Sequence, residues 1–265
     1  MDVDAYLQRI GISTRPASTL AGLAELQGAH ILAVPFENLD IPLGYGISLD
    51  RAHIFDKIVN RRRGGYCFEL NGLFGDLLRA LGFDARPILA RVWYRNPPQT
   101  SPLTHTLNLV TVDDHPYLVD VGFGGTTARC PIPFRAGAEV TDADGGVRLE
   151  ANDEFGTMLY RQTNEGWMKQ FSVTGALAYP MDMEMGNHFT STSPLTHFTS
   201  SIVAGRFTPV GRHGLVGRTL TIREGWGSVS REVSDDEFEG VLASSFGIDL
   251  GADADRLIAK LPPLT

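Results

Sequence analysis

The run Arg62-Arg63-Gly64-Gly65-Tyr66-Cys67-Phe68-Glu69-Leu70-Asn71 carries the sharpest chemical signal in the chain. Its two glycines permit a tight backbone path, and the apolar spacing that follows predicts a helix starting at or just after Cys67. A thiol there faces unpaired backbone N–H groups and the positive end of the helix dipole, and both favour the nucleophilic thiolate. Such a nucleophile needs a base, and the base needs an orienting group. His105 lies in Thr104-His105-Thr106-Leu107-Asn108-Leu109, and Asp120 lies 15 residues later in Tyr117-Leu118-Val119-Asp120-Val121-Gly122-Phe123-Gly124. That interval suits two adjacent antiparallel strands joined by a turn at Asp113-Asp114. A carboxylate flanked by Val119 and Val121 is costly to bury unpaired. Strand alternation puts Asp120 on one face and both valines on the other, so an imidazole N–H on the neighbouring strand is the obvious partner. Taken singly, each residue has a plainer reading: a small buried cysteine, a structural histidine, a turn carboxylate. Together they compose a nucleophile, a base and an orienting acid.

The elements that would hold these groups fall into three textures. Residues 1–85 read as helical. Thr19 can cap a helix over LAGLAELQGAHILAV that Pro35 ends, and FELNGLFGDLLRAL places Leu70, Leu73, Phe74, Leu77, Leu78 and Leu81 at helical spacing before Gly82. Residues 86–185 consist of short β-branched or aromatic runs with turn chemistry at Asn96-Pro97-Pro98 and Asp113-Asp114, which predicts a compact antiparallel barrel or sheet. Residues 186–265 mix strands, as in LVGRTLTIRE, with a helix that starts at Ser234-Asp235-Asp236-Glu237. His188 and His197 fall in a Thr/Ser-rich stretch that reads as a loop, without convincing metal spacing, and no metal site is expected.

Composition bounds the function. The 265 residues are 43% hydrophobic and 20% charged, which sets aside disordered and fibrous classes. A net charge of −8 argues against an overall phosphate-tracking surface and leaves only local basic patches. With Cys67 and Cys130 as the only cysteines, no disulfide scaffold is possible. The N-terminal MDVDAYLQRIGI has no signal-peptide character, and no apolar run approaches a membrane span. A cytoplasmic, reduced protein that binds neither nucleic acid nor membrane is expected.

Four segments give this pattern a family. RGGYCFELN, the earlier Val34-Pro35-Phe36-Glu37-Asn38-Leu39, the histidine of THTLNLV and the aspartate of YLVDVGFG together resemble the arylamine N-acetyltransferases, and the order Cys, His, Asp agrees with that family's triad. Ser193-Pro194-Leu195 and the stretch through Gly217-Arg218-Thr219-Leu220 are similar to the family's third domain. The resemblance covers the whole chain, most specifically residues 34–125.

The resemblance implies an α+β fold with a papain-like cysteine-enzyme core: an N-terminal helical bundle (1–85) carrying the nucleophile, a central antiparallel β-barrel (86–185) carrying His105 and Asp120, and a C-terminal α/β lid (186–265). It implies ping-pong chemistry, in which Cys67 takes acetyl from acetyl-coenzyme A as co-substrate, with no permanently bound cofactor, and an arylamine or arylhydrazine then attacks the thioester. Phe36 and Phe68 would line the acceptor slot, and Gly124, Gly125 and Thr126 would contribute to coenzyme binding. Glu37 and Arg63 are expected to pair structurally, Arg62 could meet coenzyme phosphates, and Cys130 has no motif around it. Two other readings share these residues: a related amide synthase or hydrolase, the former using a carrier-bound polyketide thioester, and a binding module that keeps the fold without turnover. The physiological amine, the acyl-chain preference and the oligomeric state are not written in these motifs.

Overall fold

The computed structural model describes residues 1–264. The N-terminal third is helical: α1 (Val3–Arg9), α2 (Leu20–Ala33), α3 (Arg51–Phe55), which runs on into a π-helical turn at Asp56–Asn60, and α4 (Cys67–Ala80). Thr19 caps α2 by accepting the Gly22 N–H at 3.2 Å. In α4 the leucines and Phe74 at i, i+3, i+4 spacing are buried, each worth roughly 1.5–3 kcal/mol on leaving water. They pack the helix against the first strands of the central sheet.

That sheet comprises β2 (Asp84–Val92), β3 (Leu103–Val112), β4 (His115–Val119), β5 (Ile132–Pro133), β6 (Glu139–Asp142), β7 (Gly145–Asn152), β8 (Gly156–Thr163) and β9 (Gly166–Leu177), with the short β1 (Phe36–Glu37) lying elsewhere. Its order is β5-β4-β3-β2-β9-β8-β7-β6, every pairing is antiparallel, and the sheet curls until β5 and β6 meet as a nearly closed barrel. The β3–β4 hairpin turns on Asp113 and Asp114, whose φ angles of 49° and 61° are those of a two-residue type I′ turn.

The remaining elements are α5 (Pro180–Thr192), β10 (Val203–Thr208), β11 (Gly211–Val216), β12 (Thr219–Glu224), β13 (Gly227–Glu232), α6 (Asp235–Val241) and α7 (Ala254–Ile258). A second sheet, β1-β10-β11-β12-β13, draws the N-terminal Phe36 into register with Gly205 of β10. The fold is therefore α+β: a helical bundle, a barrel, and a sheet with helices. Among the described residues no helix is long and apolar enough to cross a membrane.

Two sequence expectations are corrected. The Thr/Ser-rich stretch that begins at His188 is not all loop: its first part forms the last turns of α5, and His197 opens a short 3-10 turn. Asp182 accepts the Tyr179 N–H at 2.8 Å to start the helix, and Thr190, Ser191 and Thr192 bond back to carbonyls four residues earlier, which lets hydroxyl side chains sit inside it. Asp120 does not lie within a strand either. β4 ends at Val119, and the Asp120 carboxylate accepts the Gly122 N–H at 2.8 Å, a local turn that takes the chain off the sheet. The expected alternation fails with it, since Val119, Asp120 and Val121 are all buried.

Candidate active site

Cys67 is the first residue of α4, so its thiol stands at the helix N-terminus. The turn that delivers it is held from below. Glu69 reaches back to accept the Tyr66 N–H at 3.0 Å, and Lys57, wholly buried, donates to Glu69 at 2.8 Å and contacts Asp40 at 2.7 Å. Arg63 contacts Glu37 at 2.8 Å and Asp40 at 3.1 Å, so the expected Glu37–Arg63 pair is one side of a five-residue ionic cluster. Burial and the neighbouring Glu37 push the Glu69 carboxyl up despite Lys57. A Cβ on Gly64 would sit 2.2 Å from the Pro35 carbonyl oxygen, so only glycine lets this turn press against the segment before β1.

His105 enters from β3, opposite Ala90 of β2. Its Nε2 lies 2.7 Å from Asp120 Oδ2, which leaves Nδ1 for the thiol. The Cys67 sulfur lies 3.8 Å from the carbonyl oxygen of Thr104, the residue before His105. Burial disfavours the charged ring, but the charge and hydrogen bond of Asp120, with a smaller contribution from Cys67, outweigh it and push the His105 pKa up to about 10. Phe123 meets the imidazole edge-on at 4.9 Å between ring centres, and Phe171 of β9 lies 5.4 Å away.

Asp120 is held at both oxygens. Oδ2 meets His105, while Oδ1 accepts from the Gly122 N–H and from Asn71 Nδ2 at 2.9 Å. Asn71 also donates to the Thr106 carbonyl at 2.7 Å and accepts the Val121 N–H at 2.9 Å. It stands one turn after Cys67 on α4, so a single helix sets both the thiol and the carboxylate. From the other side Gln27 of α2 donates to the carbonyls of Asp120 and Ala128, at 3.2 and 2.9 Å, and pins both ends of the loop between them. Gly122 in that loop passes so close to α4 that a Cβ would fall 2.9 Å from Cys67 Cα.

Of the remaining sequence candidates, Phe36 lies beside Gly124 and 5.9 Å, ring centre to ring centre, from Phe198. Phe68 is 2% exposed and directs its ring at Tyr66 and at Gly186 of α5, whereas Phe36 lies against the glycine loop itself. Gly124, Gly125 and Thr126 lie in that loop, beyond Asp120. Arg62 takes a left-handed turn, φ 55°, and Cys130 lies apart with a thiol pKa raised by burial. The sequence reading missed Asn71, Gln27, Phe123, Phe171 and Phe198. Asn71 alone carried a local signal, its helical i+4 offset from Cys67.

An α+β fold of helices and a nearly closed barrel, with a thiol, an imidazole and a carboxylate converging at a helix N-terminus, defines a structural class. Within it, the sequence profile described as N-acetyltransferase matches residues 19–255. An arylamine N-acetyltransferase of Mycolicibacterium smegmatis is 37% identical over 97% of this chain and 95% of its own. An arylamine N-acetyltransferase / N-hydroxyarylamine O-acetyltransferase of Salmonella typhimurium is 36% identical over 78% of this chain and 73% of its own. The solved structure of the Mycobacterium marinum arylamine N-acetyltransferase in complex with CoA superposes with a TM-score of 0.93, at 34% identity, over 98% of each chain. This chain belongs to the arylamine N-acetyltransferase family.

Proposed function

We propose that the protein moves the acetyl group of acetyl-coenzyme A through a thioester on Cys67 to the nitrogen of an arylamine or arylhydrazine. The observation that carries this reading is the 2.7 Å contact of His105 with Asp120 beside the thiol at the start of α4. The Cys67 thiolate attacks the thioester carbonyl, the bond to the coenzyme sulfur breaks, and that sulfur leaves with the proton held on His105. The amine nitrogen then attacks the acyl carbon, His105 takes its proton, and the Cys67 sulfur departs as thiolate. The first half-reaction exchanges acyl between two thiols of similar basicity and is nearly balanced, and the acyl enzyme then survives only where water is kept out. Cys67, His105 and Asp120 are 4%, 2% and 7% exposed, which suits that need. In this reading Phe36 and Phe198, with Phe68, would form the apolar wall that takes the aromatic amine.

The division into 1–85 for the nucleophile, 86–185 for the base and its partner, and 186–265 as a lid is part of the same proposal. So is a cytoplasmic location, which two free thiols suit. The test is steady-state kinetics with both substrates varied. Parallel double-reciprocal lines with free acetyl-coenzyme A are expected. Intersecting lines would contradict the cysteine relay, and activity confined to carrier-bound thioesters would favour an amide synthase.

A further inference from the structure

A second buried ionic cluster lies against the glycine loop, and its charges do not balance. Arg161 is buried and takes both oxygens of Asp142, at 2.9 and 3.0 Å. Arg129 takes Asp144 Oδ2 at 2.5 Å and donates its other two nitrogens to the Thr208 and Gly211 carbonyls. That leaves Arg212, at the start of β11, with Asp144 Oδ1 at 3.6 Å, beyond hydrogen-bond reach. Three guanidinium groups thus share two carboxylates. The Arg212 side chain is only 17% exposed, and burial, with Arg223 and Arg161 nearby, pulls its pKa down to about 10 against the contributions of Asp144 and Tyr94. It remains a cation at neutral pH and is short of an anion.

The loop beside it offers matching donors. A Cβ on Gly125 would touch Arg212 Cδ at 3.6 Å, so the guanidinium stem lies along the loop. Among the described residues the N–H groups of Gly124, Gly125 and Thr126 have no protein acceptor. Successive free N–H groups beside a buried cation make an anion site, here on a protein whose net charge is −8.

We propose that Arg212 is a phosphate-binding residue for the acyl donor, taking an oxygen of the donor's diphosphate or phosphate tail beside the Gly124–Thr126 loop that the family resemblance already assigns to the coenzyme. This rests on the reading that the donor is a coenzyme A thioester. It makes Arg212 a donor-specificity residue, remote from the acetyl group. The test compares acetyl-coenzyme A with S-acetyl-N-acetylcysteamine, which keeps the thioester and lacks every phosphate. In Arg212→Gln, KM for acetyl-coenzyme A rises about 10–100-fold, the loss of one charge-assisted hydrogen bond, while kcat/KM for the short thioester stays within about two-fold. Arg212→Lys recovers part of the loss. In the wild-type protein, inorganic pyrophosphate competes with acetyl-coenzyme A and leaves turnover of the short thioester unchanged, a result that needs no variant to fold. Equal losses with both donors would overturn the proposal, and so would pyrophosphate inhibiting both alike. A rise in KM confined to carboxylate-bearing arylamines would assign the anion site to the acceptor instead. A wild-type protein that turned over neither thioester would overturn the acetyl-transfer reading itself, and this proposal with it.

Discussion

Two buried histidines of this protein meet opposite fates. His30 has the Tyr6 hydroxyl at 3.0 Å from its Nδ1 and no carboxylate partner among the described residues, and burial, then Arg9, drives its pKa down to about 3. His105 is as deeply buried, yet Asp120 drives its pKa up to about 10. At pH 8 the ring nitrogens of His105 should therefore both carry protons by 15N NMR, while His30 remains neutral at pH 5; a neutral His105 at pH 8 would remove the ion pair from the mechanism. The linkage signs differ too. The stability His105 contributes is fully present below its unfolded pKa near 6.5 and is lost as pH rises through about 10, whereas that of His30 is lost as pH falls from near 6.5 toward about 3. Asp120→Asn keeps the shape and removes the charge, so kcat should fall by about 10²–10⁴-fold and the pH profile of Cys67 alkylation should move. An unchanged profile in a folded variant would make Asp120 structural. Phe198→Ala should raise KM for arylamines more than for acetyl-coenzyme A; equal changes would move the slot elsewhere. Cys67, His105 and Asp120, which the fold brings together, could be singled out in sequence because each stands in a short motif of telling type and spacing. Phe198 was not, because it meets Phe36 only across the fold.

At the scale of elements, α4 is the organising piece. Its first residue is Cys67, its second turn supplies Asn71, and its apolar face binds the helical part to the barrel. The apolar spacing in FELNGLFGDLLRAL made this helix readable. The side on which Asn71 emerges depends on how the helix is rotated against β3, which no local pattern records. The loop from Asp120 to Ala128 shows the same limit: turn chemistry at Gly122 and Gly124 was visible, but its clamp comes from Gln27, 93 and 101 residues away in sequence. Gln27→Leu leaves two buried carbonyls without that donor, a cost of about 2 kcal/mol. For a chain of this size Tm should fall by about 4–8 °C, and KM for acetyl-coenzyme A should rise as the loop loosens. An unchanged Tm would show that the clamp contributes nothing. The Thr/Ser content of α5 misled for a definable reason: hydroxyls that usually favour turns bond here to carbonyls one helical turn back.

Over the whole molecule, two buried ionic clusters flank the site with opposite imbalances. Beneath α4, Glu37, Asp40 and Glu69 outnumber Lys57 and Arg63. Against the glycine loop, Arg129, Arg161 and Arg212 outnumber Asp142 and Asp144. Composition shows only the sum, −8, and hides this separation. The order of textures along the chain, helices, then strands, then a mixed part, was legible because hydrophobic periodicity changes with each. The insertion of β1 into the last sheet was not, since a two-residue strand carries no period. The proposed function turns on one chemical event, transfer of acetyl to Cys67. The protein should be mixed with acetyl-coenzyme A without an amine, quenched in acid, weighed intact and then mapped by peptide mass. The expected result is one added acetyl group on the peptide containing Cys67, discharged when an arylamine is supplied and absent from Cys67→Ser. No adduct, an adduct on Cys130, or one that an arylamine fails to discharge would contradict it.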